Sequence, residues 1–183
     1  PTRNTEQREQ VVSVNNPTVQ EYSTGSTKST SLRLWNTLRQ LPLGKQLFTT
    51  GVCFKAPYFG TIHPEITILE PARCEVRAPN RRGSRNHLGT FHAIASCNMA
   101  ELAAGMMTDV TVPVTHRWIP VGMTVEYLAK AATDMRTVAA IDAIPAFGDD
   151  PVDLEVPVEV LTTDGTVAVR ARITMRVARK KHD

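Results

Sequence analysis

The spacing of hydrophobic and polar positions divides the chain into a polar start, a short helical segment, and strands on either side of a long apolar run. Residues 1–29 consist mostly of Asn, Thr, Ser, Gln and Glu, which is typical of a poorly packed N-terminal arm. The large apolar residues that follow recur at three-residue steps, at Leu32, Trp35, Leu38 and Leu41. This helical spacing predicts an N-terminal helix over about 31–41.

Alternation between apolar and polar residues predicts strands before and after the apolar run. The first predicted strands cover residues 61–69, 74–78 and 121–129. Residues 137–144 fit a strand less clearly, because their alanine content also suits a helix. The clearest pattern lies within 156–177, where valines alternate with polar residues around Asp164-Gly165, and it predicts a closing hairpin.

The apolar run itself predicts a central helix over about 91–108, because its apolar residues cover nearly every direction around a helix axis. The element order is then helix, two strands, buried helix, and three or four strands. An α+β fold, with a curved antiparallel sheet wrapped around the central helix and an extra N-terminal helix, satisfies this order with short connections. We expect a single domain over 30–183 and a dimer that covers the open edges of the sheet.

Four positions break the apolar character of the central helix, and they share one face: Asn98, Glu101, Gly105 and Thr108. A buried carboxylate is costly to ionise, so Glu101 requires a partner side chain, solvent or a ligand. One interpretation pairs Glu101 with an arginine from a neighbouring strand. The other places it at a substrate cleft, where it acts as a base or nucleophile.

His92 stands at the start of the same helix and cannot share one small substrate with the carboxylate. Nine residues separate His92 from Glu101, which corresponds to half a turn of rotation and a rise of roughly 13 Å. A catalytic role for both therefore requires a second copy of the helix, antiparallel across a two-fold axis. The N–H of Ala93 lies in the first turn, where an unpaired donor suits an oxyanion. Taken alone, His92 is also explained as a structural residue at a helix start.

Composition narrows the functional classes. The chain has 183 residues and a net charge of +3, with no arginine-rich helix or zinc-finger spacing, so we expect no nucleic-acid partner. Cys53, Cys74 and Cys97 are isolated, which favours reduced thiols and a cytoplasmic location. We expect no metal site, and no membrane partner because no run approaches the ~20 apolar residues that span a bilayer. Two further residues are interpreted as core or acyl-pocket lining, Trp35 and Trp118.

The motif Asn86-x-x-Gly89-x-x-His92, followed nine residues later by Glu101, resembles the active-site segment of hotdog-fold thioesterases. It is most similar to the phenylacetate-pathway (PaaI-like) and 4-hydroxybenzoyl-CoA thioesterase branch. The segment MTVEYLAKAA is similar to the strand that follows the helix in that family, and DGTVAVRARITMRV to its closing hairpin. The resemblance extends from about residue 59 to 177.

The resemblance implies a homodimer or a dimer of dimers (a homotetramer) that hydrolyses acyl thioesters of coenzyme A or acyl carrier protein, without a further cofactor. Glu101 would be the nucleophile or the base that activates water, and it would reach in from the facing subunit. The Ala93 N–H would polarise the thioester carbonyl, Asn86 would position water or substrate, and His92 would orient the carbonyl and the loop. The implied substrate-binding residues are Gly89, Asn98, Gly105 and Thr108, and the candidate phosphate contacts are Arg81, Arg82 and Arg85.

Two departures from the family pattern keep alternatives open. Ala93-Ile94 replaces the usual Gly-Gly after the histidine, and Gly105 stands where many relatives carry Ser or Thr. A non-catalytic hotdog domain that binds an acyl chain or serves in assembly is the first alternative. The second is a hotdog enzyme of specialised metabolism that carries out hydration, dehydration or another carbonyl-directed step on a carrier-bound intermediate. Its relatives usually place Asp and His about five residues apart, which this chain does not match.

Overall fold

The computed structural model of the protein describes residues 29–181, which form a six-stranded antiparallel sheet with one long helix packed against it. The helices are α1 (Thr30–Leu38), α2 (Gly44–Lys55) and α3 (Ala93–Thr111). A 3-10 segment, Pro57–Ile62, follows α2 directly. The strands are β1 (Glu65–Glu70), β2 (Arg73–Ala78), β3 (His116–Tyr127), β4 (Met135–Ala140), β5 (Val152–Leu161) and β6 (Val167–Arg179).

The strand order is β1-β2-β4-β5-β6-β3, so β3 forms one edge of the sheet although it follows α3 directly in the chain. β3 pairs with β6 over its whole length, with a bulge between Pro120 and Gly122. β1 forms the opposite edge and is contacted by α2. Within the described residues, no strand pairs with the outer side of β3.

The core lies between α3 and the concave side of the sheet, and α3 contacts all six strands. The valines of β5 that were predicted to alternate, Val156, Val158 and Val160, are almost fully buried. Met99, Leu102 and Met107 are equally buried on α3. Because each buried apolar side chain contributes about 1.5–3 kcal/mol, this layer of side chains stabilises the fold more than any polar contact in it.

The predicted architecture is confirmed, with a curved antiparallel sheet around one buried helix. The central helix continues three residues beyond the predicted end. The Thr111 hydroxyl donates to Met107 O and accepts from Ala72 N–H, and Pro113 then prevents further helix. β3 begins at His116, five residues earlier than predicted, because Pro120 and the bulge interrupt its alternation. The predicted polar arm, residues 1–29, lies outside the described residues except for Ser29.

The second helix was not predicted from the sequence. α2 contains two glycines and two threonines, which are poor helix formers, and its apolar residues occur on both faces. Tertiary packing overrides these preferences. Phe48 is buried and its ring meets that of Trp35 of α1 edge to face, with centroids 5.2 Å apart. The extra N-terminal helix of the prediction is therefore a pair of helices.

We predict opposite effects for alanine at the two glycines of α2. A Cβ at Gly44 would lie 1.8 Å from the Leu38 carbonyl oxygen, so Gly44→Ala must displace α1 and should destabilise the protein by about 2–3 kcal/mol. A Cβ at Gly51 meets nothing within 4 Å, so Gly51→Ala should stabilise the helix by about 0.5–1 kcal/mol. Urea denaturation of both variants measures the difference, and equal stabilities would contradict this packing of α1 on α2.

Candidate active site

The segment between β2 and α3 is fixed by hydrogen bonds that converge on Ser84. The Ser84 hydroxyl lies 3.2 Å from Pro79 O and 3.0 Å from Arg81 O, and it accepts from the Arg81 N–H. The Ser84 carbonyl in turn accepts from the N–H of His92 at 2.8 Å. This bond joins the loop to the residue that begins α3, so the loop and the helix start form one rigid unit.

Asn86 organises the second half of this loop. Its Oδ1 accepts from the backbone N–H groups of Leu88 and Thr90, and its Nδ2 donates to Thr90 Oγ1 at 2.8 Å. Gly89 has a φ of +75°, a left-handed conformation that favours glycine. One amide hydrogen of Asn86 has no acceptor within the described residues, so the side chain both holds the loop and keeps a donor.

His92 caps α3. Its Nδ1 accepts from the Ile94 N–H at 3.0 Å, which leaves the ring proton on Nε2, on the exposed side of the ring. The N–H of Ala93 follows in the first turn and donates to no described residue. Two donors, the Ala93 N–H and the His92 Nε2–H, are therefore present at the positive end of the helix dipole.

A cavity of about 340 Å³ opens beside this helix start. Its lining includes His92, Asn98 and Arg85 together with Tyr58 and Thr61 of the 3-10 segment. Asn98 is buried and donates to Tyr58 O and Thr61 Oγ1, both at 3.2 Å, which ties α3 to that segment. Asn98 Oδ1 has no partner among the described residues. The sequence did not indicate Tyr58 and Thr61, because they follow the helix that was not predicted.

Glu101 does not line this cavity, as the helical geometry predicts for two positions half a turn apart. It is half-buried in the middle of α3 and forms no ion pair or hydrogen bond with any described residue. The interpretation that Glu101 is paired with an arginine therefore has no support in residues 29–181. Glu75 provides the contrast, because this buried carboxylate on β2 contacts Arg73 and lies 3.1 Å from Arg136.

The neighbours of Glu101 on the helix face the edge strand. One turn before it, the Cys97 sulfur lies 3.5 Å from the Tyr127 hydroxyl of β3. One turn after it, a Cβ added to Gly105 would lie 3.1 Å from Cη2 of Trp118 on β3. Glu101 thus lies between two contacts to the strand whose outer side is unpaired in the described structure.

The remaining predicted site residues lie in different surroundings. Thr108 is fully buried and its hydroxyl donates to Ala104 O, so it reaches neither cavity nor solvent. Arg81 and Arg82 are exposed at the start of the loop. Arg85 is exposed, but its guanidinium donates to the side chain and the carbonyl of Asn80. Of the four residues on the predicted polar face, Asn98 therefore lines the cavity and Glu101 is a half-buried acid. The other two, Gly105 and Thr108, are packed in the interior.

Two of the three cysteine thiols, Cys53 and Cys74, are held in the protonated form by burial. Burial raises the pKa of the Cys74 thiol far above neutrality and also raises the pKa of Cys53. The hydrogen bond with Cys97, together with desolvation, raises the pKa of Tyr127 to about 12, so the phenol stays protonated.

In residues 29–181, no three His, Cys, Asp or Glu side chains come together in a metal-binding group. None of the described helices is both long and apolar enough to cross a membrane.

The sheet order, the enclosed helix and the helix-capping loop define a hotdog fold. Residues 44–177 match the model of a family described as a domain of unknown function, DUF4442, and the chain belongs to that family. No curated protein matches the chain.

Three solved structures illustrate the similarity. The structural-genomics target APC5556 is 44% identical, with a TM-score of 0.71 over 82% of this chain and 99% of that chain. The probable thioesterase PA5026 from Pseudomonas aeruginosa is 21% identical, with a TM-score of 0.63 over 69% and 89% of the two chains. The thioesterase HI1161 from Haemophilus influenzae is 13% identical, with a TM-score of 0.59 over 69% and 87%. At the two lower identities, the likeness shows the fold alone.

We predict that the Asn86 side chain supports the loop mainly through its oxygen. Asn86→Ala removes two accepted bonds and one donated bond, and it should lower the free energy of unfolding by about 1–3 kcal/mol. Asn86→Asp keeps the acceptor and should lose less. Urea denaturation measures both, with His87→Ala as the control because His87 is exposed in the same turn. A loss in the control equal to that in Asn86→Ala would refute this role.

Proposed function

We propose that the protein is an acyl-thioester hydrolase that acts on acyl groups carried by coenzyme A or by an acyl carrier protein. The observation that carries the proposal is Glu101, a half-buried carboxylate with no cation or hydrogen-bond partner among the described residues. A half-buried carboxylate without a partner inside an apolar helix is a candidate functional group. Solved proteins of the same fold that carry the name thioesterase support the same class. Within that class, the Asn86–His92–Glu101 spacing favours the PaaI-like and 4-hydroxybenzoyl-CoA thioesterase branch.

In the proposed reaction, Glu101 takes a proton from water while the water oxygen forms a bond to the thioester carbonyl carbon. The carbonyl oxygen becomes an oxyanion, which the Ala93 N–H stabilises at the positive end of α3. The carbon–sulfur bond then breaks, and the leaving thiolate takes the proton from Glu101. The products are a carboxylic acid and a free thiol. As a nucleophile, Glu101 would instead form a mixed anhydride, release the thiol first, and be freed by water.

The site would be completed by a second subunit. Glu101 and Ala93 are eight residues apart on one helix, a rise of about 12 Å, so they cannot reach the same carbonyl within one chain. Pairing of two β3 strands edge to edge would place two copies of α3 antiparallel and bring each Glu101 near the other subunit's His92. The free side of β3 supports this arrangement. Its backbone groups are free to pair, and β3 also has exposed apolar side chains at Ile119 and Val121, while Ile94 is exposed at the start of α3.

The other site residues take supporting roles in the proposal. The His92 Nε2–H donates to the substrate carbonyl, and Asn86 holds the loop while its second amide hydrogen orients water or substrate. Asn98 lines the acyl cavity. Arg81 and Arg82 are exposed at the loop and suit the phosphate groups of coenzyme A. Arg85 lies beside them, at the cavity next to His92. Gly105 leaves room for Trp118, which would close the acyl region one turn beyond Glu101.

A non-catalytic acyl-binding or assembly role is the second candidate, and one observation favours it. Ala93-Ile94 replaces the usual glycines, and Ile94 lines the cavity beside His92 with half of its side chain exposed. The extra atoms narrow the approach to the Ala93 N–H. Thiol release separates the two candidates, because an acyl-binding protein would bind acyl-CoA and release no thiol.

We predict that Glu101→Gln lowers the rate of thiol release from acyl-CoA by about 100- to 10,000-fold, because the amide cannot accept a proton from water. The assay covers a panel of acyl chain lengths, as coenzyme A and as acyl carrier protein thioesters. Asp109→Asn is the matched control, since Asp109 is also a half-buried acid on α3 but lies two turns further along. Absence of turnover by the parent on every thioester, or unchanged activity of Glu101→Gln, would refute the proposal.

We predict that two inactive variants restore activity when their subunits are mixed. In a dimer of one Glu101→Gln and one His92→Ala subunit, one of the two sites keeps both native residues and the other loses both. Statistical exchange should therefore return about a quarter of the parent activity. The mixture is unfolded, refolded together and compared with each variant refolded alone. A mixture no more active than its components contradicts a shared site.

A further inference from the structure

The inner face of β3 is only partly covered by α3. Four residues of β3 lie directly opposite buried residues of β6 and therefore share the inner face of the sheet: Trp118, Met123, Val125 and Tyr127. The first three pack against the core but remain half-buried, and Tyr127 is 55% exposed. We call these four residues the edge strip. The edge strip is mostly apolar and lies between α3 and the free edge of the sheet.

Two contacts between α3 and the edge strip lie on either side of Glu101. Four residues before it, the Cys97 sulfur lies 3.5 Å from the Tyr127 hydroxyl. Four residues after it, a Cβ added to Gly105 would lie 3.1 Å from Cη2 of Trp118. Four residues of helix correspond to a rise of about 6 Å. An acyl group that starts beside Glu101 and follows α3 therefore meets an aromatic side chain about 6 Å away in either direction.

The chemistry of the two contacts favours one direction for an alkyl chain. At the first contact a thiol meets a protonated phenol hydroxyl, so that end is polar. At the second, the atoms of the indole that approach the glycine are both carbons. An alkyl chain is more favourable against carbon than against polar groups, which lose hydration when they are covered. The cavity beside His92 has room for the first atoms of the acyl group, but Arg85 and Asn98 give it a polar lining.

We infer that the indole of Trp118 forms the end wall of the acyl site and limits the length of the acyl chain. This inference rests on the proposed thioester site at Glu101. Carbon–carbon bonds of about 1.5 Å advance an extended chain by roughly 1.3 Å per carbon, so about 6 Å accommodates about five carbons beyond the carbonyl. The substrate class is therefore short acyl groups of about four to six carbons.

The packing around Trp118 fixes the position of this wall. The indole occupies the space that a side chain at Gly105 would need, so it cannot move closer to α3. Trp118 also borders a cavity of about 490 Å³, whose lining includes Val112 and Val114 as well as charged side chains such as Asp109. Removal of the indole should therefore join the edge strip to this cavity and give a longer chain room to extend.

The first test is the dependence of thiol release on acyl chain length, measured with acyl-CoA thioesters of about two to twelve carbons. For the parent, kcat/KM should be highest at about four to six carbons and at least about tenfold lower at ten carbons. Trp118→Phe and Trp118→Leu should shift the optimum to longer chains, with the larger shift for leucine. Trp118→Leu should raise kcat/KM for decanoyl-CoA relative to butanoyl-CoA by at least about tenfold. Circular dichroism and the thermal midpoint check that each variant is folded.

Tyr127→Leu is the matched control, because it removes the aromatic ring at the opposite, polar end of the edge strip. Its preferred chain length should equal that of the parent. A shift to longer chains in Tyr127→Leu as large as that in Trp118→Leu would overturn the inference. An unchanged length profile in both Trp118 variants would overturn it as well.

Binding provides a second readout that needs no catalysis. The chain has two tryptophans, so Trp35→Phe leaves Trp118 as the single one, and Glu101→Gln in the same chain keeps the thioester intact during the titration. Hexanoyl-CoA should change the tryptophan emission, whereas acetyl-CoA, whose chain ends before the ring, should not. Equal changes with both thioesters, or no change with either, would contradict the assigned wall.

The two readouts separate this inference from the proposed hydrolase activity. Length-dependent emission without thiol release from any thioester would refute the hydrolase and support the wall at Trp118. Thiol release with the same length profile in the parent and in every Trp118 variant would support the hydrolase and refute the wall.

Discussion

The enclosure of α3 is the constraint on which the rest of the molecule depends. The helix is apolar around almost its whole circumference, so every side must be covered. The sheet covers one side, and α1 with the 3-10 segment contacts others. The part that faces the free edge of β3 is where the chain places a carboxylate. The location of Glu101 is therefore a consequence of which side of the helix the fold leaves incompletely covered.

Glu75 and Glu101 illustrate how one fold can surround two carboxylates differently. Glu75 lies within the sheet, and two arginines on β2 and β4 offset the cost of removing its charge from water. Glu101 has no such neighbours in the described residues, and the positive potential nearest to it along its own helix is at the distant N-terminus. No described cation therefore pairs with Glu101, in contrast to Glu75.

The sequence predicted those parts of the fold where local pattern and tertiary environment agree. The β5–β6 hairpin was predicted because one face of each strand is buried, which produces a clear alternation. The central helix α3 was predicted because apolar residues cover nearly every direction around its axis. The helix α2 was not predicted, because its contacts through Gly44 and Phe48 depend on α1 and do not appear in a local sequence pattern. The start of β3 was displaced for a related reason, since a bulge at Pro120 breaks the period of two.

Some features of the candidate site could likewise be predicted from local spacing, and others could not. Spacing along one helix predicted that Glu101 and His92 face different directions, and Glu101 does not line the cavity beside His92. Spacing could not reveal that the Asn86 side chain forms its hydrogen bonds within its own loop. It also could not reveal that Asn98 donates to Tyr58 O and Thr61 Oγ1 across the cavity. The contacts of Asn98 join residues 37 and 40 positions apart, and those of Asn86 depend on turn geometry. Regular periodicity carries no information about them.

The contact between Gly105 and Trp118 has a consequence for how this family can diverge. The indole occupies the volume that a side chain on α3 would need, so the two positions share one fixed space between helix and edge strand. A homologue that gains a hydroxyl-bearing residue at the helix position must reduce or rotate the aromatic group on the strand. The two sites should therefore vary together across the family, with large paired with small, as a single evolutionary unit that spans the sheet edge.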